Sequence, residues 1–356
     1  VRLVDYWYDR PPVVPPSDAF FLHIEKSGIP QQVGGMVVFR PRGDGGPSLA
    51  EVRELVRGEL RYLPRFRQRL EQPGRWRRAR WVDSEVEWDR HVTERTVDRC
   101  RTDSGTGPDP ADGGAGRVAR IGKVVTELAG EPLPKDRPLW RLVLVRDPVD
   151  GAIGVVLLVH HVVADGIGTV VQALRLLRPT MELPVPDRTP PGRATTAAAI
   201  ATGLAQLAVD AQPGARLPGD CVRRVFTVCS LDLETVRAVA RSHHARVTDV
   251  LLAVTVTALR RCRPDLEQSL HGTVRVAVPL MVRDPSSGAE GNSTAAVMMD
   301  VALNAPSPAR LLDDIRARSD RLHSGTRALA SHFVMSKALR LLPEPMVGIF
   351  ARSVYG

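Results

Sequence analysis

At 356 residues the chain exceeds what one hydrophobic core usually holds, so two domains are expected. Hydrophobic residues make up 43% and charged residues 25%, ordinary values for a globular protein. The 49 basic residues outnumber the 40 acidic ones, giving +9. An aromatic content of 4% without long basic blocks leaves nucleic acid the weakest partner class, behind anionic lipid and phosphorylated small molecules.

Residues 34–40 read as a strand. From Ser48 the apolar residues Leu49, Val52, Leu55, Val56, Leu60 and Leu63 recur at helical spacing until Pro64. Residues 104–116 have loop composition, and 140–147 and 153–163 are β-rich runs. The second run is continuously apolar, as in a strand covered on both faces. A helical pattern resumes from Val170 to Leu177. The segment 179–218 reads as a linker or crossover. It separates an N-terminal unit, 1–178, from a C-terminal unit, 219–356, that is expected to be incomplete.

The second unit opens with a predicted strand at 222–229 and a helix from Asp232 to His243. Thr248 is the predicted N-cap of the next helix. Residues 274–282 read as a buried strand, and Ser307-Pro308 as a helix start. The last 20 residues set Leu339, Leu341, Leu342, Met346, Val347, Ile349 and Phe350 beside Lys337, Arg340 and Arg352. Both a core helix and a membrane- or acyl-contacting element fit that pattern. No run approaches the length of a membrane span, and no signal peptide is visible, so a cytoplasmic protein is expected. Attachment at a membrane or lipid-droplet surface stays open. Cys100, Cys221, Cys229 and Cys262 lack paired spacing and read as reduced, half-buried thiols.

The chemistry concentrates in His160-His161-Val162-Val163-Ala164-Asp165-Gly166. Side chains alternate along a strand, so adjacent imidazoles point opposite ways and only one faces a cleft. Asp165 sits in the following turn, where Gly166 and Gly168 are expected to permit a sharp bend. A histidine at a strand end beside a carboxylate has the layout of a general base. No nucleophile elbow or catalytic cysteine context accompanies it, so the base would activate a substrate hydroxyl. A metal site and a pair of core histidines are the competing readings. Diverging strand histidines without further ligands weigh against a metal.

His-His-x-x-x-Asp-Gly resembles the signature of the condensation-domain-like, CoA-dependent acyltransferase superfamily. The runs Asp18-Ala19-Phe20-Phe21-Leu22 with Glu25, Pro64-Arg65-Phe66-Arg67-Gln68-Arg69-Leu70 and Pro138-Leu139-Trp140 resemble blocks of its wax ester synthase/diacylglycerol acyltransferase members. So do Trp88-Asp89 with His91-Val92, Val278-Pro279-Leu280 with Arg283, and Gly291-Asn292.

The resemblance implies an α/β fold of two chloramphenicol-acetyltransferase-like subdomains with an active-site tunnel between them. It implies transfer of a long-chain acyl group from acyl-CoA to diacylglycerol or a fatty alcohol. Acyl-CoA would be a co-substrate, with no cofactor. His161 would be the general base and His160 structural. Asp165 would orient the loop, with Arg283 as its partner, and Gly166 would keep the approach to the base open. Pro138, Leu139, Trp140, Thr248, Asp249, Arg283 and Asn292 would contribute to substrate binding.

Thr248 stands where such proteins commonly have Asn, and their late Ser-Asn-x-Pro-Gly-Pro segment is absent before Gly356. A carrier-protein-dependent acyltransferase and a non-catalytic lipid-surface protein are the alternatives.

Overall fold

The computed structural model describes residues 12–26, 28–41, 45–74, 76–97, 115–177, 193–210, 225–281, 290–292, 294–322 and 326–355. They form a mixed α/β protein. In chain order its first half comprises α1 (Pro16–Glu25), β1 (Gln32–Phe39), α2 (Leu49–Glu59), β2 (Gln68–Glu71), β3 (Arg80–Asp83), α3 (Trp88–His91), β4 (Val92–Thr96), α4 (Ala115–Gly130), β5 (Trp140–Arg146), β6 (Ile153–His160) and α5 (Gly166–Leu177). After α6 (Arg193–Asp210) come α7 (Leu233–Ser242), α8 (Val247–Cys262), α9 (Asp265–Ser269), β7 (Thr273–Met281), β8 (Thr294–Ala302), α10 (Pro308–Leu322), α11 (Thr326–Ser336) and α12 (Glu344–Tyr355).

The first sheet runs β1-β6-β5-β4, antiparallel except for the parallel β4–β5 pair. All eight residues of β6 are buried, as its unbroken apolar run predicts. Alternation divides their side chains between two clusters. Ile153, Val155, Leu157 and Val159 join Leu142, Leu144 and Trp140 on one face. Val156 and Leu158 join Val143, Val145 and the α4 residues Ile121, Val124, Val125 and Leu128 on the other. The sheet therefore presents the end of β6, with its histidines, from a rigid support.

α2 starts as its sequence indicates. Ser48 Oγ accepts from Glu51 N, while the Glu51 carboxylate accepts from Ser48 N. Pro64 does more than stop the pattern, since it opens a 3-10 turn over Pro64–Arg67. Residues 104–114 lie outside the described residues, but Ala115 and Gly116 belong to α4 rather than to a loop.

In the second half a separate core gathers α7, α8, α10, β7 and β8 around Val256, Val297, Val301, Leu303 and Ile315. β7 pairs with β8 antiparallel. Its expected burial does not hold: Val274 is buried, whereas Ala277 and Pro279 are exposed. Among the described residues this sheet has two strands, and the β7 side chains of Ala277 and Pro279, on one face, are open to solvent.

The predicted strand at 222–229 is also corrected. Residues 225–229 are neither helix nor strand; the Phe226 ring lies over Gly122 of α4, and Phe226 N donates to Thr126 Oγ1 at 2.9 Å. The segment has strand-like composition, but it packs on a helix instead of joining a ladder. The supposed linker is not featureless either, because α6 occupies its centre. Cys229 and Cys262 are exposed free thiols rather than half-buried ones, and Cys100 and Cys221 lie outside the described residues. The Ser307 cap is as expected, with Arg310 N donating to its Oγ at 3.3 Å.

α6 packs on α11 through small residues. A Cβ on Gly203 would meet the Thr326 carbonyl oxygen at 2.1 Å and Ala330 Cβ at 2.7 Å. Alanine normally gains about 1 kcal/mol over glycine inside a helix. Overpacking against fixed backbone costs about 1–3 kcal/mol, and the clash should win. Gly203→Ala is therefore expected to lower stability by about 1–2 kcal/mol in urea unfolding.

α12 settles against α1. Ala351 is buried with Phe20 and Ile24, and His23 Nε2 lies 2.8 Å from Glu344 Oε1 in a buried pair. Its other face exposes Met346 and Ile349, so the C-terminal element is a core helix on one side and an apolar surface on the other. No helix among the described residues is long and apolar enough to cross a membrane.

Candidate active site

β6 stops at His160, and His161 begins a turn. The two rings diverge as alternation requires. His160 is fully buried, while His161 keeps partial exposure.

His160 is fastened on three sides. Its N–H donates to the Leu139 carbonyl at 2.9 Å, and its Nδ1 accepts from Val162 N at 3.0 Å. Nε2 lies 3.3 Å from Glu25 Oε2, off the best line for a hydrogen bond. Lys135 Nζ approaches the same oxygen at 2.5 Å. Burial alone would raise the Glu25 carboxyl, but the contacts from His160 and Lys135 outweigh it and hold the group at about 2.

His161 has a different set of partners. Its Nδ1 lies 2.8 Å from Asn292 Oδ1. Both amide hydrogens of Asn292 are committed, one to the His161 carbonyl at 2.8 Å and one to Asp18 Oδ1 at 3.0 Å. The amide oxygen must therefore face Nδ1, so Nδ1 carries the proton and Nε2 is left with a lone pair. The Phe21 ring stacks on the imidazole, with centroids 3.7 Å apart and planes 12° apart. Burial is the largest influence on the ring and pulls its pKa below the usual 6.5, outweighing the bond from Asn292 and the charge of Asp165. At neutral pH the imidazole is uncharged, the form a base requires.

Asn292 reaches this position because the segment before β8 docks on the turn after β6. Gly291 pairs in parallel with Ala164, and Gly291 N donates to the Val163 carbonyl at 2.8 Å. Gly291 has φ +75°, and a Cβ there would stand 3.4 Å from Asp18 Oδ2. Left-handed backbone and close approach both favour glycine. Arg65 holds the neighbouring Glu290: its backbone N–H donates to Oε1 at 3.2 Å, and its guanidinium lies 3.5 Å from Oε2.

The other expected residues fall into place around this core. Asp165 Oδ1 accepts from Gly168 N at 2.8 Å, so Asp165 caps α5 and fixes the turn. Arg283 lies outside the described residues. Neither Gly166 nor Gly168 has positive φ, so the expected sharp bend is replaced by an ordinary helix start. At Gly166 an added Cβ would meet nothing within 4 Å.

Pro138, Leu139 and Trp140 are buried behind His160 rather than facing an opening. The Pro138 carbonyl accepts from His91 Nε2 at 3.0 Å, and Trp140 Nε1 donates to the Phe66 carbonyl at 2.9 Å.

Thr248 is corrected. It lies exposed inside the first turn of α8, and Arg246 holds the cap position. Asp249, expected near substrate, is buried and accepts from Arg246 N at 2.9 Å, which binds the helix start together.

Asn292 is the largest reassignment, from substrate contact to orienting partner of His161. Asp18, Phe21 and Glu25 were read only as part of a family-like block. Their signal was present: two carboxylates and a ring at i, i+3 and i+7 share one face of a largely apolar helix.

A model of the wax ester synthase/diacylglycerol acyltransferase catalytic domain matches residues 14–219, more than half of the 356. A putative diacylglycerol O-acyltransferase of Mycobacterium bovis is 25% identical over 94% of this chain and 79% of its own length. Among solved structures, the wax ester synthase/diacylglycerol acyltransferase from Marinobacter aquaeolei VT8 superposes with a TM-score of 0.56 at 18% identity, covering 96% of this chain and 80% of that one. The first condensation domain of the calcium-dependent antibiotic synthetase gives 0.56 at 19% identity, over 90% and 76%. At these identities the two structures speak for the fold.

Proposed function

This chain belongs to the wax ester synthase/diacylglycerol acyltransferase family and is an acyltransferase, and from that premise we propose that it moves a long-chain acyl group from acyl-CoA to the hydroxyl of diacylglycerol or a fatty alcohol, with His161 Nε2 as the general base. The observation that carries this reading is the commitment of His161 Nδ1 to Asn292 Oδ1, which leaves Nε2 as the ring's proton acceptor.

The reaction balances on that one nitrogen. Nε2 takes the hydroxyl proton as the alcohol oxygen attacks the thioester carbonyl. The tetrahedral intermediate collapses to the ester, the carbon–sulfur bond breaks, and the departing thiolate recovers the proton from the imidazolium. The imidazole ends neutral. Because burial weakens the base, much of the rate must come from alignment of the two substrates, for which effective molarities reach ~10⁵ M or more. We place the reacting groups at the junction of the two halves, since one supplies His161 and the other Asn292. Each methylene buried there adds about 0.8 kcal/mol to binding, which favours long chains.

The test is release of free CoA thiol from palmitoyl-CoA with dioleoylglycerol or hexadecanol, read with a thiol reagent, alongside the ester product. Acceptor-dependent thiol release is expected. Absence of thiol release with both acceptors, from folded protein supplied with detergent-dispersed lipid, would sink the reading.

A further inference from the structure

α1 faces the site with one row of side chains. Asp18 reaches Asn292, Phe21 stacks on His161, and Glu25 reaches His160. The innermost of these contacts decides something that the histidine cannot decide for itself. A neutral imidazole has two tautomers, and the choice between them follows from what the other nitrogen meets. Were the Asn292 amide rotated by half a turn, its NH₂ would face Nδ1. The proton would then sit on Nε2, and the base would be lost.

Asp18 is the side chain that opposes this rotation, beside the His161 carbonyl, which accepts the other amide hydrogen. Its Oδ1 accepts from both Asn292 N at 2.9 Å and Asn292 Nδ2 at 3.0 Å. A rotated amide would bring its oxygen against that acceptor oxygen. The backbone bond keeps Oδ1 an acceptor, because an amide N–H has nothing to receive. Asp18 is 5% exposed, so a repelled amide oxygen finds little water there to compensate it. Ser17 Oγ, at 3.3 Å, and the nearby Arg65 complete the carboxylate's polar surroundings.

We propose that Asp18 is a positioning residue that acts through Asn292 to fix the tautomer of His161. The inference rests on the assignment of His161 as the base, but its measurement does not. Long-range ¹H–¹⁵N correlation on histidine-labelled protein reports directly which ring nitrogen is protonated, whatever the enzyme turns over. His161 signals are assigned by their loss in His161→Gln.

Wild-type protein should show the proton on Nδ1, and Asp18→Ala should move a large share of it to Nε2. In parallel kcat should fall about 10–100-fold, the usual cost of removing a group that orients a working histidine, with KM little changed. Asp18→Asn keeps an acceptor oxygen and should restore most of that loss.

A double-mutant cycle provides a second check, with Asp18→Leu, which keeps the side chain's volume, where Asp18→Ala folds poorly. Once Asn292→Ala has removed the amide, either substitution should leave kcat and the tautomer ratio where Asn292→Ala put them. The proposal is overturned if the proton stays on Nδ1 in Asp18→Ala, or if Asp18 substitutions act equally with and without Asn292. Retained activity in His161→Ala would instead overturn the base and leave the tautomer result standing.

Discussion

His161→Ala is expected to lower kcat by about 10²–10⁴-fold, the usual contribution of a positioned acid–base group. The fold should survive. The ring is partly exposed, and the backbone bond from His161 N to the Gln31 carbonyl at 2.8 Å does not depend on the side chain. Thermal unfolding should therefore shift little while acceptor-dependent thiol release nearly disappears.

The pH dependence of the wild type follows with a definite sign. Burial depresses the His161 pKa below 6.5, so the base is neutral at pH 7 and becomes protonated only as the solution is acidified further. Burial, opposed by the bonds from Asn292, raises Asp18 to about 6, so its carboxylate loses charge in the same acidic window. Protonation of His161 removes the base, so kcat/KM should fall on the acid side of 6.5, while Asp18 keeps Oδ1 as an acceptor when it loses its charge and adds little to the fall. The residual rate of His161→Ala should lack most of this fall. A variant that keeps full activity, or one whose residual rate keeps the wild-type acid limb, would remove His161 from its role.

The second large effect is expected on stability. Glu25→Ala takes the carboxylate from a buried position beside His160, which has zero exposure. The neutral His160, whose Nδ1 accepts from Val162 N, would lose the acceptor beside its buried Nε2, and an unsatisfied buried polar group typically costs about 1–3 kcal/mol. Lys135 is half in water and recovers its hydration, so a loss of about 2 kcal/mol is expected in urea unfolding at pH 7.

Its pH signature separates this loss from a packing defect. The Glu25 carboxyl is held at about 2 in the folded protein against 4.5 ordinarily. The unfolded chain thus takes up the proton first, and this part of the stability is complete above pH 4.5 and is lost as pH falls from 4.5 toward 2. The stability difference between wild type and Glu25→Ala should narrow over that window. A gap that stays constant down to pH 2 would mean that the carboxylate charge is not what stabilises His160.

Much of the scaffold was legible in the residues, for reasons that can be named. The unbroken apolar run of β6 could only be a covered strand, and its final pair of histidines had to diverge. Ser48 with Glu51 three positions on, and Ser307 beside Pro308, carry the chemistry of helix starts within one turn.

What was missed depended on distant partners or on competing local signals. Ile121, Val124, Val125 and Leu128 form a clear stripe on α4, yet the glycine- and aspartate-rich residues before it drew attention to a loop. α6 shows no stripe because alanine and glycine let it approach α11 without one. Residues 225–229 are rich in the β-branched and aromatic residues of a strand, but composition describes a segment and not its neighbour. The role of Asn292 had no local signature at all, since its partner lies 131 positions away.

That separation also bears on how the protein comes into being. A chain growing on the ribosome displays Asp18, Phe21 and both histidines early. The amide that selects the working tautomer emerges 131 residues after His161, on the order of ten seconds later at 5–20 residues per second. α12, which braces the opposite side of α1 through His23 and Glu344, follows later still. On the mechanism proposed above, the motif is complete in sequence before its orienting amide exists, and competence arrives only with the second half.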